Sequence, residues 1–234
     1  MTSHSSVTVL VTGATSGIGQ AIARGFAGDG QSVLAVGLGE LPPDEPNLTY
    51  GELDVRDEAA VREKVAALPD LKVVVNAAGI INRGAEHDPA VFEKVVDINL
   101  NGTMRVCAGA KDALAANKGA IINIASMLSY FGGGLVPGYA ASKGGVMQLT
   151  KSLAIAYAAD GIRVNALAPG WIATPLTDGL RSDAGRSEAI IGRTPMGRWG
   201  APEDLIGPAL FLASPAAGFV TGTCLNVDGG YAVM

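Results

Sequence analysis

Short runs of apolar, often β-branched residues alternate with segments of helical spacing along most of the 234-residue chain. Seven runs have the length and composition of strands, at residues 7–11, 32–36, 48–53, 73–75, 120–125, 163–167 and 223–227. Continuously apolar strands of this kind are typical of a parallel sheet that helices cover on both faces. The pattern predicts an α/β fold over residues 1–234: one doubly wound domain with a mostly parallel seven-stranded sheet and helices on both faces.

The connection between the second and third runs departs from this alternation. It reads Gly37-Leu38-Gly39-Glu40-Leu41-Pro42-Pro43-Asp44-Glu45-Pro46, which has three prolines and no helical periodicity. A proline in a helix interior costs about 3 kcal/mol or more. We therefore predict a loop here instead of a crossover helix.

The first strand leads into a glycine-rich turn, Thr12-Gly13-Ala14-Thr15-Ser16-Gly17-Ile18-Gly19, after which Ile22 and Phe26 continue a helical spacing. Backbone N–H groups and the dipole at such a helix start favour an anion, and glycines let a pyrophosphate approach the main chain. A purely steric role for the glycines is the alternative. The strand before the turn and the helix after it favour a dinucleotide site and a Rossmann-type domain.

A candidate acid/base pair lies further along the chain. Tyr139 and Lys143 are four residues apart, so on a helix they share one face, and Ser126 precedes the tyrosine by thirteen residues. A free tyrosine titrates near pH ~10, and a neighbouring cation stabilises the phenolate and lowers that pKa. The pair predicts a tyrosine general acid/base, with Ser126 holding a substrate oxygen. A surface tyrosine beside a solvated lysine would show the same spacing.

The glycine spacing followed by Tyr-x-x-x-Lys resembles the classical short-chain dehydrogenase/reductase family, and the similarity covers nearly the whole chain. Further segments resemble that family's motifs in the same order, at 53–55, 76–79, 97–102, 169–175, 220–222 and 228–231. In the second of these, Ala77 stands where the family usually has asparagine. The resemblance implies an NAD(P)-dependent oxidoreductase that interconverts a secondary alcohol and a ketone.

The resemblance also implies roles for individual residues. Tyr139 would be the acid/base, Lys143 would lower its pKa and hold the nicotinamide ribose, and Ser126 would hydrogen-bond the substrate oxygen. Asn99 would orient Lys143 through water, although a helix-distorting or capping role is common for a single asparagine. The implied dinucleotide-binding residues are Gly13, Thr15, Ser16, Gly17, Ile18, Gly19, Gly37, Asp54, Val55, Asn76, Ala77, Ala78, Gly79, Tyr139, Lys143, Pro169, Gly170, Ile172 and Thr174.

Two of these assignments have structural alternatives. Asp54, expected beside the adenine, is also a natural turn residue at a strand end. Asn76 is expected to brace its strand end as well as to face the cofactor.

The end of the second strand usually selects the dinucleotide, through an acidic residue for NAD or an arginine for NADP. Position 37 is glycine, so that discriminator is missing. However, no lysine or arginine occurs between Arg24 and Arg56, while Glu40, Asp44 and Glu45 make the neighbourhood acidic. A 2′-phosphate needs cationic partners, so we favour NAD over NADP.

Substrate identity depends on the segment after Thr174, a predicted lid over residues 174–199 that carries Arg181, Arg186, Arg193 and Arg198. These arginines are candidates to bind a carboxylate or phosphate when the lid closes, or they are solvated charges on it. Asn82 and Arg83 are further candidates to contact a polar substrate. We expect a hydroxy acid, sugar or polyol. The alternatives are a 3-oxoacyl-carrier-protein reductase that uses NADPH and a non-catalytic dinucleotide-binding protein.

Charge and composition narrow the range of partners. A net charge of −5 and the lack of a basic run argue against a nucleic-acid or anionic-membrane surface. The isolated Cys107 and Cys224 lack metal-ligand spacing, and we expect no metal. With no signal-peptide pattern at residues 1–6, the expected location is cytoplasmic. The resemblance implies a homodimer or homotetramer that pairs through helices at 99–116 and 139–159.

Overall fold

The computed structural model describes residues 7–234, and they contain a seven-stranded parallel sheet. The strands are β1 Val9–Thr12, β2 Val33–Gly37, β3 Leu48–Glu52, β4 Val73–Asn76, β5 Ala120–Ile124, β6 Arg163–Pro169 and β7 Cys224–Val227. Their order across the sheet is β3-β2-β1-β4-β5-β6-β7, and every neighbouring pair is parallel. The predicted seven strands and the doubly wound α/β fold are confirmed.

The helices are α1 Gly17–Gly28, α2 Glu58–Ala66, α3 Pro89–Val96, α4 Gly102–Asn117, α5 Pro137–Tyr157, α6 Asp178–Arg181, α7 Ala184–Arg193 and α8 Ile206–Ala213. They cover both faces of the sheet, with α1 and α8 on one face and α2, α4 and α5 on the other. Side chains alternate along each strand. Val9 and Val11 therefore join the core under α1 and α8, whereas Leu10 joins the core under α2, α4 and α5. All of β1 is buried, which explains its continuous apolar run. Within residues 7–234, no helix combines the length and apolarity that crossing a bilayer requires.

The connection from β2 to β3 contains no helix, as its prolines predicted. Carboxylates of the loop hold it in place. Asp44 accepts a hydrogen bond of 2.8 Å from the backbone N–H of Tyr50. Glu45 accepts three hydrogen bonds from Arg24 of α1, at 2.8, 2.9 and 3.2 Å. Two of the three carboxylates that suggested an acidic dinucleotide site are therefore structural.

The helix predicted over 99–116 begins earlier than expected. α3 and α4 form one continuous helical run, joined by a π-helical turn at Asp97–Asn101. Within that turn the Asn99 side chain bonds the main chain of Ile80, accepting from its N–H at 2.8 Å and donating to its carbonyl at 3.0 Å. Such outside bonding fits the helix-distorting role considered for Asn99. The other long helix, predicted over 139–159, is α5.

The strand order reverses beside β1, whose neighbours are β2 on one side and β4 on the other. Ligands of doubly wound sheets bind at such a switch point, outside the carboxyl ends of the strands. The glycine-rich turn follows β1 at this edge, and Ser126 follows β5 at the same edge. The topology thus brings together motifs that are far apart in the sequence.

Candidate active site

The turn after β1 forms a cradle of main chain. Gly13 has φ of +63°, and a Cβ atom there would lie 2.5 Å from the main chain of Ala78, so no other residue fits. Ser16, the N-cap of α1, makes no side-chain capping hydrogen bond. The N–H groups of the first helical turn therefore have no side-chain cap, and they face an anion site at the positive end of the helix dipole. These features fit the pyrophosphate of a dinucleotide.

The predicted acid/base pair lies at the start of α5. Lys143 is buried, its Nζ atom lies 5.7 Å from the centre of the Tyr139 ring, and it donates a 2.6 Å hydrogen bond to the carbonyl of Ile124 at the end of β5. Ser126 lies just beyond β5, where its Oγ accepts a 3.1 Å bond from the N–H of Leu128. Strand β5 and helix α5 thus bring Ser126, Tyr139 and Lys143 to one place.

Burial has the largest effect on the titration of this pair. It raises the pKa of Tyr139 above the ordinary tyrosine value; a hydrogen bond with Ser126 opposes this rise and the negative charge of Glu86 adds to it. Burial also lowers the pKa of Lys143 to about 8. The expectation that Lys143 lowers the pKa of Tyr139 is wrong for this structure. Desolvation disfavours both charged forms here, and the ammonium hydrogen-bonds a carbonyl instead of the phenol.

Three adjoining cavities run along this edge of the sheet. Of the predicted residues, Ser16, Gly17, Ile18, Gly19, Ala77, Lys143 and Thr174 line the phosphate-side cavity. The β3-side cavity is lined by Gly37, Asp54, Val55 and Ala78, and the substrate-side cavity by Ser126, Pro169 and Gly170. Gly13 and Gly79 belong to the first two cavities, Tyr139 to the first and third, and Leu176 to all three. Most of the predicted set therefore faces one continuous cleft.

Four predicted residues do not line this cleft. Asn99 is fully buried, and its side chain also donates to Ser142 at 3.1 Å, so no direct bond to Lys143 forms. Asn76 is buried as a brace and donates 2.9 Å to Asn123. Ile172 lines a different cavity, together with Thr194 and Asp228. The fourth, Thr15, packs behind the cleft against Gly37.

The β3-side cavity contains cations that the linear sequence did not suggest. Arg56 and Lys94 line it, together with Asp54. Arg56 forms a salt bridge with Asp54, and this partner holds the pKa of the Asp54 carboxyl below its usual value. Neither Asp44 nor Glu45 lines the cavity. The prediction of an acidic environment at the adenosine end is therefore wrong in detail, because two cations and one salt-bridged carboxylate line this cavity.

Comparison with known proteins identifies the family. Residues 13–232 match the family described as enoyl-(acyl carrier protein) reductase. The 2-dehydro-3-deoxy-D-gluconate 5-dehydrogenase of Pseudoalteromonas atlantica (strain T6c / ATCC BAA-1087) is 42% identical over 239 residues, which cover 95% of this chain and 94% of that protein. The chain belongs to the classical short-chain dehydrogenase/reductase family. The resemblance inferred from the motifs is confirmed.

Other members of the family agree with this assignment. The galactitol 2-dehydrogenase (L-tagatose-forming) of Cereibacter sphaeroides is 39% identical over 242 residues, covering 95% of this chain and 94% of that protein. The structure of a gluconate 5-dehydrogenase from Burkholderia cenocepacia J2315, in complex with NADP and tartrate, has a TM-score of 0.89 at 33% identity and covers 98% of this chain and 96% of that one. This short-chain dehydrogenase/reductase is an NAD(P)-dependent oxidoreductase that interconverts an alcohol and a ketone on a small polar metabolite.

The substrate-side cavity of this dehydrogenase has a volume of about 570 Å³, and two arginines, Arg83 and Arg193, are among the residues that line it. Arg193, at the end of α7, lies 4.4 Å above the Tyr231 ring and 5.7 Å from that of Phe131, and donates 3.1 Å to the Tyr231 hydroxyl. Among residues 7–234, neither arginine forms a salt bridge. Neither charge is therefore neutralised by a carboxylate of this part of the chain.

The other arginines of the predicted lid have carboxylate partners. Arg181 pairs with Asp178, Arg186 with Asp183 and Arg198 with Asp204. None of these three lines the substrate-side cavity. The structure thus selects Arg193 from four arginines that the sequence could not rank.

Several cleft residues escaped the sequence analysis. Phe131 lines the substrate side and Lys94 lines the β3 side, and neither was singled out. Leu176 and Ile98 also line the cleft, but they lie within the predicted lid and the 97–102 motif. Lys94 lies about one helical turn before the 97–102 motif, and its position relative to that motif could have identified it as a cleft residue. Glu86, a buried carboxylate beside Tyr139, has no sequence signature.

Proposed function

We propose that this chain is an NAD(P)-dependent dehydrogenase of a sugar acid, which oxidises a secondary hydroxyl group to a ketone and catalyses the reverse reduction. The observation that carries the proposal concerns two arginines, Arg83 and Arg193. Neither forms a salt bridge within residues 7–234, and both line the cavity that Ser126 and Tyr139 also line. A guanidinium group binds a carboxylate through charge-assisted, often bidentate hydrogen bonds. Relatives named for gluconate derivatives support this substrate class.

The catalytic roles follow from position. Ser126 holds the reacting oxygen of the substrate, and Tyr139 takes the hydroxyl proton during oxidation or returns it during reduction. The bound nicotinamide supplies or accepts the hydride. Lys143 and Thr174 both line the phosphate-side cavity. This supports the roles in which Lys143 would hold the nicotinamide ribose and Thr174 would bind the carboxamide. Asn99 keeps α5 in register through Ser142 and fixes Ile80 beside the cleft.

A polyol is the second candidate substrate, because the galactitol 2-dehydrogenase is similar over most of the chain. A neutral polyol gives the two guanidinium groups no charge to neutralise, and for this reason we prefer the acid. The 3-oxoacyl-carrier-protein reductase is disfavoured. An acidic carrier would be repelled by a chain of net charge −5, and the relatives described above are named for sugar acids and a polyol.

Four further expectations belong to the proposal. We propose a preference for NAD. The charge of Arg56 is already neutralised by Asp54, which leaves Lys94 as the cation of this cavity that could bind a 2′-phosphate. Residues 174–199 form the substrate lid of one domain spanning 1–234. The enzyme works in the cytoplasm. It is a homodimer or homotetramer, with the exposed Ile155 of α5 in the interface, so a monomeric mass in solution would contradict this assembly.

The test is a substrate comparison with NAD and NADP. Purified enzyme is assayed with D-gluconate and 2-dehydro-3-deoxy-D-gluconate, and with the neutral polyols glucitol and galactitol. One charge-assisted contact contributes about 1.5–3 kcal/mol, so kcat/KM for an accepted acid should exceed that for the polyols roughly tenfold or more. Arg193→Gln and Arg83→Gln should remove this advantage and leave polyol oxidation unchanged.

Arg186→Gln is the matched control, because Arg186 lies on the same helix as Arg193, is paired with Asp183 and lies outside the cavity. A wild-type enzyme that oxidises polyols as well as acids, with no effect of either cavity variant, would contradict the sugar-acid assignment. It would leave the dehydrogenase chemistry intact.

A further inference from the structure

Glu86 is a buried acid that none of the roles above uses. It lies in the loop between β4 and α3, and only 1% of its surface is exposed. A buried carboxylate is costly unless hydrogen bonds satisfy it. Here Oε1 accepts a 2.7 Å bond from the N–H of Asn82, and Oε2 accepts a 2.7 Å bond from the N–H of Tyr139. Among the described residues, Glu86 forms no salt bridge, so backbone N–H groups are its partners.

Helix α5 needs an external cap of this kind. Its first residue is Pro137, and its N-cap residue, Val136, has no side chain that could accept a hydrogen bond. The first N–H groups of a helix lack partners within the helix, and a negative charge is stabilised beside them by the helix dipole. Glu86 supplies this acceptor from a segment 53 residues earlier in the chain.

The two oxygens of Glu86 join two parts of the active site. Tyr139 carries the proposed acid/base. Asn82 is the direct neighbour of Arg83, whose guanidinium lines the substrate-side cavity. The same two segments are also joined by a 2.7 Å bond from Gly84 N–H to the carbonyl of Leu135. Glu86 is thus the side chain that spans from the substrate side to the catalytic tyrosine.

We propose that Glu86 is a positioning residue whose buried carboxylate fixes the start of α5 at Tyr139 and the segment of Arg83 in one arrangement, so that the phenol and the substrate carboxylate are held in register. The half of this proposal that concerns Arg83 rests on the sugar-acid function proposed above. The half that concerns Tyr139 does not. The charge of Glu86 also opposes formation of the phenolate, after the larger effect of burial.

Two substitutions separate the effect of the length of the Glu86 side chain from the effect of its charge. Glu86→Asp keeps the charge but is one methylene shorter, so it cannot reach both N–H groups. Glu86→Gln keeps the length but loses the charge, and it turns one acceptor into a donor facing an N–H group. Asp88→Asn is the matched control. Asp88 is an exposed carboxylate two residues away, and it accepts hydrogen bonds at the start of α3 from the N–H groups of Ala90 and Val91 instead of from α5.

The experiment measures kcat/KM for oxidation against pH, together with an ultraviolet titration of the Tyr139 phenolate corrected with Tyr139→Phe. We expect Glu86→Asp to lower kcat tenfold or more without moving the alkaline limb of the profile. Glu86→Gln should lower kcat and move both that limb and the phenolate titration to lower pH by a few tenths of a unit. Asp88→Asn should change neither.

Three results would overturn the proposal or part of it. If Glu86→Gln leaves the phenolate titration where it is in the wild type, Glu86 does not act on Tyr139. If both Glu86 variants only lower the melting temperature, with kcat retained while folded, Glu86 is structural. If the variants impair acid and polyol substrates equally, the link to Arg83 is wrong. Because the phenolate titration needs no substrate, it stands even if the sugar-acid assignment fails.

Discussion

At the scale of single residues, burial decides how the proposed proton carrier and its lysine titrate. The linear sequence identified Tyr139 and Lys143 by their spacing, but it predicted a lowered pKa for Tyr139 because it could not show how deeply the pair is buried. Burial raises the pKa of Tyr139 and lowers that of Lys143 to about 8. At neutral pH the tyrosine is therefore protonated and ready to donate to a ketone, whereas oxidation should become faster as the pH rises.

The lowered pKa of Lys143 predicts a pH-dependent stability. The folded chain loses this proton near pH 8, and the unfolded chain near 10.5. Below pH 8 the full cost of burying the charge is present, and between pH 8 and 10.5 stability rises as the folded state releases the proton first. At pH 7 we expect Lys143→Met to be more stable than the wild type by on the order of 1–3 kcal/mol.

Urea unfolding at pH 7, 8, 9 and 10 checks this prediction. The advantage of Lys143→Met should shrink steadily above pH 8. Lys151→Met, at an exposed position of the same helix, is the control and should show no such trend. A constant difference between Lys143→Met and wild type at all four pH values would mean that the buried ammonium carries no such cost.

At the scale of elements, the glycine-rich turn packs against the end of β2 and limits which side chain fits there. A Cβ atom at Gly37 would lie 2.9 Å from Cγ2 and 3.2 Å from Oγ1 of Thr15, so both branches of the threonine oppose a side chain there. Thr15 also donates to the carbonyl of Leu38 at 3.4 Å. The missing discriminator at position 37 is therefore linked to the threonine in the turn.

This contact predicts how cofactor choice can be changed. Gly37→Asp alone should weaken NADH binding about tenfold, because the new side chain meets Thr15 and displaces the turn. The double variant Thr15→Gly/Gly37→Asp should restore NADH binding and weaken NADPH binding through charge repulsion. Titration of each variant with NADH and NADPH, followed by nicotinamide fluorescence, gives the answer. Tight NADH binding by the single variant would show that the contact does not limit position 37.

Elements also show where sequence patterns suffice and where they fail. The prolines at 42, 43 and 46 correctly predicted a connection without a helix, because proline excludes helix by local geometry alone. The π-helical turn at Asp97–Asn101 could not be predicted in the same way. It depends on the hydrogen bonds between the Asn99 side chain and the main chain of Ile80, which comes close only after the chain has folded.

At the scale of the whole molecule, the sequence predicted the seven strands and most residues of the cleft, because each motif has its own local pattern. It could not predict which distant charges meet. Arg193 rather than Arg181 or Arg186 lines the substrate-side cavity, and this depends on how residues 174–199 fold. Glu86 meets Tyr139 for the same reason. Contacts between charged residues that are far apart in the chain follow no sequence periodicity, so the sequence pattern does not predict them.

The most direct measurement is turnover by Tyr139→Phe, with NADH and NADPH binding measured on the same preparation. The phenol is the proposed proton carrier, and general acid/base catalysis typically contributes 10²–10⁴-fold, so turnover should fall by about that factor. Dinucleotide binding should remain close to that of the wild type, which excludes misfolding as the cause. Full turnover by Tyr139→Phe would contradict the account, since the proton would then travel by another route.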